Sequence, residues 1–186
     1  MRQYPIDIIG NYGMQESKIV NGEFVIVRTD KTEPDRAYFE RNCDFLRKKY
    51  GYTEYRGEAV EFHPSGMVTF PLLGTGALIE DKLTFDPDKS KRRAMYAEVL
   101  DIFRDYSVYI GGSSSFDFSG KQYNKYEAIM TYAGKNGYSK DEILYVGDDF
   151  EDGGGDSHVR LGGMDYVNIT DYRRVADEVF TYLKKH

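Results

Sequence analysis

Cysteine is almost missing from this sequence, because Cys43 is the only one among 186 residues. A single cysteine excludes an internal disulfide framework and a thiolate metal site, and on its predicted helix Cys43 is interpreted as a small core residue. Long apolar runs are also missing, so the sequence contains no candidate membrane span and no apolar core of a signal peptide. The net charge of −6, without a basic stripe, disfavours a nucleic-acid partner. We therefore expect a soluble, cytoplasmic protein.

The most informative segment is an acidic loop at residues 147–156, which directly follows a short apolar run at residues 143–146. This pattern predicts a buried strand that ends in oxygen ligands, and open α/β sheets bind ligands beyond the carboxyl ends of their strands. Mg²⁺ is usually held by one or two carboxylates together with a phosphate oxygen. The acidic loop thus predicts a metal site, with a solvated acidic turn as the alternative. Its carboxylates belong to Asp148, Asp149, Glu151, Asp152 and Asp156.

The first two thirds of the sequence predict a compact α+β unit. Asn21-Gly22 is typical of a tight hairpin turn, and Thr32 with Asp35 is placed to cap a helix that ends at Gly51. Strands and helices follow in the order two strands, a helix, two strands, a helix and two strands, which favours a mostly antiparallel sheet with helices on one face. Within residues 17–118 the predicted strands are two within 17–29, 59–63, 67–73, 108–110 and 115–118, and the predicted helices are 34–50 and 88–105, while a separate short strand is predicted at 6–9.

The last third alternates helix and strand, which is typical of a parallel, doubly wound sheet. A helix at 124–136 precedes the strand at 142–147, and a strand at 165–169 precedes a helix at 171–184. Strand 6–9 is predicted to join these two strands in one sheet. The predicted division is a core strand and hinge at 1–13, a cap domain at 14–112, and the C-terminal half of a core domain at 113–186.

Several short motifs follow one another in a fixed order along the chain. They are Arg56-Gly57, Glu61-Phe62, Gly66-Met67, Gly111-Gly112 with Ser115-Phe116-Asp117, Lys125, and Gly147-Asp148 with Gly153-Gly154-Gly155-Asp156. This ordered set resembles the haloacid dehalogenase (HAD) superfamily, and most of all its phosphomannomutase branch and the related Cof-type (IIB) sugar phosphatases. The resemblance covers nearly the whole chain. It implies a partial Rossmann-like parallel sheet, formed by the C-terminal half of the core, and an α+β cap of the C2 type with a mostly antiparallel sheet.

The resemblance implies a role for each candidate residue. Lys125 would be the catalytic cation that holds the transferring phosphoryl group, and its place at a helix N-terminus adds to a field that already attracts anions. Arg56 would bind a distal phosphate, and Ser115 and Asp117 would bind sugar hydroxyls. The alternatives are a solvated lysine in a first helical turn and an arginine on a surface strand.

Mg²⁺ is the cofactor that the resemblance implies, and Asp148, Asp152 and Asp156 are its candidate ligands. Two related loop patterns compete, since one selects Asp148 with Asp152 and the other favours Asp156. A structural calcium loop is a weaker alternative, because the spacing and closing glutamate of an EF-hand are absent.

Two departures from the family pattern limit the predicted activity. Phosphomannomutases carry further cap arginines that bind a second phosphate. The corresponding positions in this chain lie near His63 and Thr75, so the site has less positive charge, which favours a sugar phosphatase over a mutase. The nucleophilic Asp-x-Asp-x-Thr motif is also absent, and neither Asp86 nor Asp117 is placed to replace it.

The resemblance therefore implies a Mg²⁺-dependent HAD-type phosphatase or phosphotransferase that acts on a sugar phosphate or a similar small phosphoester and that needs a missing N-terminal segment or chain. The first alternative is a non-catalytic binding or subunit protein derived from this superfamily, and the second is phosphomannomutase itself. The resemblance also implies a homodimer formed through the cap.

Overall fold

A computed structural model describes residues 6–185 of the chain. The chain divides into two compact units, with the boundary between Tyr123 and Asn124. No helix among the described residues is long and apolar enough to cross a membrane.

The first unit begins with a three-stranded antiparallel sheet of β1 (Asp7–Gly10), β2 (Gln15–Val20) and β3 (Glu23–Thr29). The predicted hairpin turn is confirmed, since Asn21 and Gly22 have φ values of 52° and 79°. The predicted pairing of the first strand was wrong, because β1 pairs with β2 and not with the strands of the last third. Residues 11–13 all have positive φ and fold the chain back, which places β1 against β2.

The second sheet of this unit has four antiparallel strands in the order β4-β5-β7-β6. They are β4 (Glu61–Phe62), β5 (Val68–Pro71), β6 (Tyr106–Tyr109) and β7 (Ser115–Gly120). The predicted division after residue 112 falls before β7, which hydrogen-bonds to β5 and β6 within the first unit.

Three helices accompany this sheet, namely α1 (Arg36–Tyr50), α2 (Ile79–Phe85) and α3 (Ser90–Ile102). The cap of α1 is Asp35, whose carboxylate accepts a hydrogen bond from the Tyr38 backbone, whereas the predicted cap Thr32 bonds through its backbone to Ser65. Gly51 ends α1 with a φ of 77°, as predicted. The core of the unit lies between α1, α3 and one sheet face; it contains Phe39, Cys43, Leu46, Val68, Phe70, Met95, Val99, Phe116 and Phe118.

A buried ion pair fixes the start of α3. Arg92 donates from Nε to Asp86 over 2.7 Å, and its Nη1 donates to the carbonyl oxygen of Gly111 over 2.7 Å. The Asp86 carboxylate also accepts hydrogen bonds from the Lys91 and Arg92 backbones. Asp86 is therefore a structural anchor in the first unit.

The second unit consists of α4 (Lys125–Asn136), β8 (Leu144–Gly147), α5 (Ser157–Leu161), β9 (Asp165–Asn168) and α6 (Val175–Leu183). As predicted, β8 and β9 pair in parallel, with Tyr145 opposite Tyr166. Asn124 caps α4 by accepting from the Glu127 backbone over 2.9 Å. A small core of Phe150, Val159 and Met164 holds the unit together.

Candidate functional site

The acidic loop leaves β8 at its carboxyl end and places its carboxylates in different environments. Asp148 is exposed directly after the strand. Asp152 points to solvent with 92% of its side chain exposed and pairs with Arg160 over 2.8 Å. Asp149 turns into the loop and accepts a hydrogen bond from the Gly155 backbone over 2.9 Å. The three neighbouring aspartates are therefore not equivalent ligands.

Asp156 is the centre of a hydrogen-bond cluster, and its side chain is only 1% exposed. Its Oδ1 accepts from Lys125 Nζ and from the Tyr145 hydroxyl, each over 2.6 Å. Its Oδ2 accepts from the backbone nitrogens of Asp148 and Asp149 over 3.1 and 3.0 Å. A carboxylate offers about four lone-pair sites, so these four donors use its accepting capacity. Asp156 thus joins Lys125 to the backbone of the acidic loop.

Burial and hydrogen bonds shift the pKa values of Asp156 and Tyr145 in this cluster. Burial favours a higher pKa for Asp156, but the hydrogen bonds from Lys125 and Tyr145 outweigh it and lower the pKa below its ordinary value. Burial, together with the bond to Asp156, raises the pKa of the Tyr145 phenol. Asp156 therefore stays ionised at neutral pH, and Tyr145 stays a proton donor.

Glycine is required where the loop passes closest to these carboxylates. A Cβ at Gly147 would overlap the Asp156 carboxylate and the Tyr145 ring, and one at Gly154 would overlap Asp149. The glycines let the backbone approach Asp156 closely enough to donate to it. This is the structural reason for part of the Gly-Asp pattern in the sequence.

A cavity of about 750 Å³ lies at the carboxyl ends of the two parallel strands. Gly147 and Asp148 line it from the β8 side, and Asn168 and Thr170 line it from the β9 side. Lys125 begins α4, and 40% of its side chain is exposed although Nζ is bound to Asp156. The second unit therefore offers a fixed cation, an exposed carboxylate and a cavity where α/β sheets bind ligands.

The predicted metal ligands do not converge in this arrangement. No three His, Cys, Asp or Glu side chains within residues 6–185 lie close enough together to hold a metal. Asp156 has its oxygens occupied by four donors, and Asp152 pairs with Arg160. Asp148 presents an exposed carboxylate beside the cavity, whereas Asp171, which also lines it, pairs with Arg173 over 2.9 Å. One carboxylate fits the way Mg²⁺ is held together with phosphate oxygens.

The predicted substrate residues lie in the first unit. Arg56 lines a separate cavity of about 510 Å³, where Asp81 lies 3.8 Å away and Glu54 adds a second acid. One carboxylate 3.8 Å from the guanidinium and a second acid in the lining make this cavity a poor place for a phosphate group. Ser115 uses its hydroxyl to donate to the Gly111 carbonyl over 3.0 Å.

Asp117 lies on the sheet face opposite the core and is already hydrogen-bonded. Its carboxylate accepts from the Thr69 hydroxyl over 2.9 Å and from the Tyr12 hydroxyl over 3.4 Å. Burial raises its pKa, and the Thr69 bond opposes that rise. The Tyr12 ring also stacks on Tyr109 at 4.1 Å between centroids. Sequence reasoning missed Tyr12 and Thr69, because only the sheet register and the turn at residues 11–13 bring them to Asp117.

Among comparisons with known proteins, only solved structures match this chain, and they show its fold. No protein-family model and no curated protein matches the sequence. N-terminally truncated, IMP-bound Plasmodium falciparum IMP-nucleotidase matches with a TM-score of 0.59 and 12% identity over 96% of this chain. An IMP-bound mutant of the same nucleotidase matches with a TM-score of 0.59 and 13% identity over 96% of this chain. The truncated enzyme described without IMP has a TM-score of 0.58, 12% identity and 92% coverage.

The chain spans about half of these proteins, since the matches cover 48% of each. At this level of identity the likeness concerns the fold alone. The predicted fold class is confirmed: the chain has a HAD-like α/β fold, with a parallel sheet in the second unit and an antiparallel α+β unit before it.

Proposed function

We propose that this chain is part of a Mg²⁺-dependent HAD-type phosphatase that acts on a small phosphoester, in the first place a sugar phosphate. The observation that carries the proposal is the cluster in which Asp156 fixes the Lys125 ammonium and the backbone of Asp148. Through Asp156 the lysine is tied to the backbone of Asp148, which lines a cavity at the carboxyl ends of the parallel strands, and a cation held in this way suits a phosphoryl group.

Each residue of the cluster has a separate part in this proposal. Lys125 binds the phosphoryl oxygens and balances the charge that they carry in the transition state. Asp148 holds Mg²⁺, which shields phosphoryl charge when bound. Asp156 orients Lys125 and does not bind the metal, since its oxygens already accept four hydrogen bonds.

The attacking group would come from outside this chain in the same proposal. Asp86 is buried against Arg92, and Asp117 is bound to Thr69, so neither carboxylate is free to attack phosphorus. The matched proteins are about twice as long as the segment that they share with this chain. A further segment or chain that supplies the nucleophile is part of the proposal, as are a cytoplasmic location and a homodimer through the first unit.

A nucleoside monophosphate is the second candidate substrate, because the matched solved structures include IMP-bound IMP-nucleotidase. The mutase alternative is disfavoured by the acids beside Arg56, which oppose a second phosphate. A non-catalytic protein that binds phosphorylated ligands through Lys125 is the alternative that would share the binding site without the reaction.

Calorimetric titration of the chain with hexose 6-phosphate and with IMP, each with Mg²⁺, tests this proposal. Lys125→Ala should abolish binding, and Asp148→Asn should abolish its dependence on Mg²⁺. Lys135→Ala, in the last turn of the same helix, is the matched control and should bind normally. Equal binding by Lys125→Ala and the wild type would refute the site.

A turnover assay on the same protein separates binding from catalysis. p-Nitrophenyl phosphate with Mg²⁺ should not be hydrolysed above background. Hydrolysis that disappears in Asp86→Asn or Asp117→Asn would contradict the proposal that the nucleophile lies outside the chain.

A further inference from the structure

One oxygen of Asp156 receives two side-chain donors. Lys125 Nζ and the Tyr145 hydroxyl both bind Oδ1 over 2.6 Å, whereas Oδ2 is held by two backbone nitrogens of the acidic loop. Because the backbone already fixes the carboxylate, its orientation does not depend on Tyr145. What Tyr145 adds is a second proton donor on the oxygen that holds the lysine.

Tyr145 is held in place independently of this bond. It lies in β8, and its ring meets Phe150 edge to face with centroids 5.9 Å apart. Gly147 leaves the space that the ring occupies, since a Cβ there would overlap it. The phenol is therefore held beside Oδ1 by packing as well as by its hydrogen bond.

We infer that Tyr145 is a positioning residue that shares Asp156 Oδ1 with Lys125 and thereby leaves the lysine ammonium available to an anion. A donor on Oδ1 withdraws part of the negative charge that would otherwise bind the ammonium alone. Lys125 has further N–H donors, and its side chain is partly exposed. The inference rests on the proposed function only where it identifies that anion as a phosphoryl group.

The amine reactivity of Lys125 tests this role without any ligand. In Tyr145→Phe, acetylation by an N-hydroxysuccinimide ester, followed by peptide mass spectrometry, should be about two- to fivefold slower at Lys125. The reason is that an amine held more tightly by the carboxylate leaves it less often to meet the ester. Tyr166→Phe, at the paired position of β9, is the matched control and should leave the rate unchanged.

An unchanged or faster rate at Lys125 in Tyr145→Phe would overturn the inference, because a purely structural tyrosine would loosen the cluster when it is removed. Circular dichroism checks that the variant is folded. Tyr145→Met lacks the hydroxyl as well and should slow acetylation in the same direction, so a folding defect in one variant still leaves the other as a test.

A protection experiment with inorganic phosphate separates this inference from the proposed function. Phosphate should protect Lys125 from acetylation in the wild type, and Tyr145→Phe should need about two- to fivefold more phosphate for half protection. No protection in the wild type, together with slower acetylation in Tyr145→Phe, would refute the phosphate site and support the role of Tyr145. Equal half-protection concentrations would refute the effect of Tyr145 on anion binding.

Discussion

Replacing Asp156 with asparagine should destabilise the second unit far more than the same change at Asp152. Asp156 accepts four hydrogen bonds, two on each oxygen, and its side chain is 1% exposed. An asparagine offers one oxygen and one NH₂ group, so in either orientation the NH₂ group faces two donors. Asp152, which is 92% exposed, loses only a solvent-screened ion pair with Arg160.

The expected magnitude follows from the number of lost contacts. Hydrogen bonds to a charged group contribute about 1.5–3 kcal/mol each, and at least two are lost in Asp156→Asn. The ammonium of Lys125 recovers water because its side chain is 40% exposed, which reduces the loss. We expect a loss of about 3 kcal/mol in the free energy of unfolding, against less than about 0.5 kcal/mol for Asp152→Asn.

Hydrogen exchange read by mass spectrometry is the suitable assay, since it reports on peptides from residues 124–186 separately from the first unit. Amides of β8 and the acidic loop should exchange faster in Asp156→Asn and at the wild-type rate in Asp152→Asn. If both variants exchange alike, or if only Asp152→Asn changes, the hydrogen-bond cluster does not exist as described.

Acid provides an independent check of the same carboxylate. The pKa of Asp156 in the folded chain lies below its ordinary value, so its contribution is present above the unfolded pKa, near 4, and is lost as the pH falls through the lowered folded pKa. The wild type should therefore lose more stability than Asp156→Asn between about pH 5 and about pH 2. Equal acid sensitivity would contradict the ion pair with Lys125.

Three further predictions concern the first unit. Arg92→Met leaves the Asp86 carboxylate buried without its cation and should cost about 3–5 kcal/mol, measured by urea unfolding. Gly66→Ala should cost about 2 kcal/mol or more in the same assay, because φ is +90° and a Cβ would overlap the Thr32 carbonyl oxygen. Ile26→Lys should slow aggregation on heating, measured by light scattering, because β3 is an exposed apolar edge strand and a charge there opposes pairing with another chain. Faster aggregation of Ile26→Lys than of the wild type would contradict the idea that chains pair along β3.

Local chemistry made much of the fold predictable. The Asn21-Gly22 turn and the helix ends at Gly51 and Gly137 depend on residues that adopt positive φ at little cost, and the structure has all three. Helix α2 was missed because it has seven residues and buries none of them, so it leaves no apolar periodicity to detect. The five-residue α5 is too short to show one.

Pairings between distant residues could not be predicted in the same way. The apolar sequence of β1 fits a parallel core strand as well as a hairpin edge, and only the turn at residues 11–13 decides between them. Tyr145 shows the same limit within the candidate site. In the sequence it is one apolar residue of a strand, and its hydroxyl gains a role only when the fold brings Asp156, at the start of α5, within hydrogen-bond distance.

The acidic loop shows why the number of carboxylates is a weak guide to metal ligands. Charge and spacing in the sequence are the same whether a carboxylate binds a cation, a lysine or the backbone. Folding separates these uses through the donors that reach each oxygen: four reach Asp156, Arg160 reaches Asp152, and Asp148 faces the cavity. A buried aspartate whose oxygens are filled by N–H and O–H donors has no lone pair left for a cation, whereas an exposed carboxylate beside a cavity keeps its lone pairs, and only the folded structure distinguishes the two.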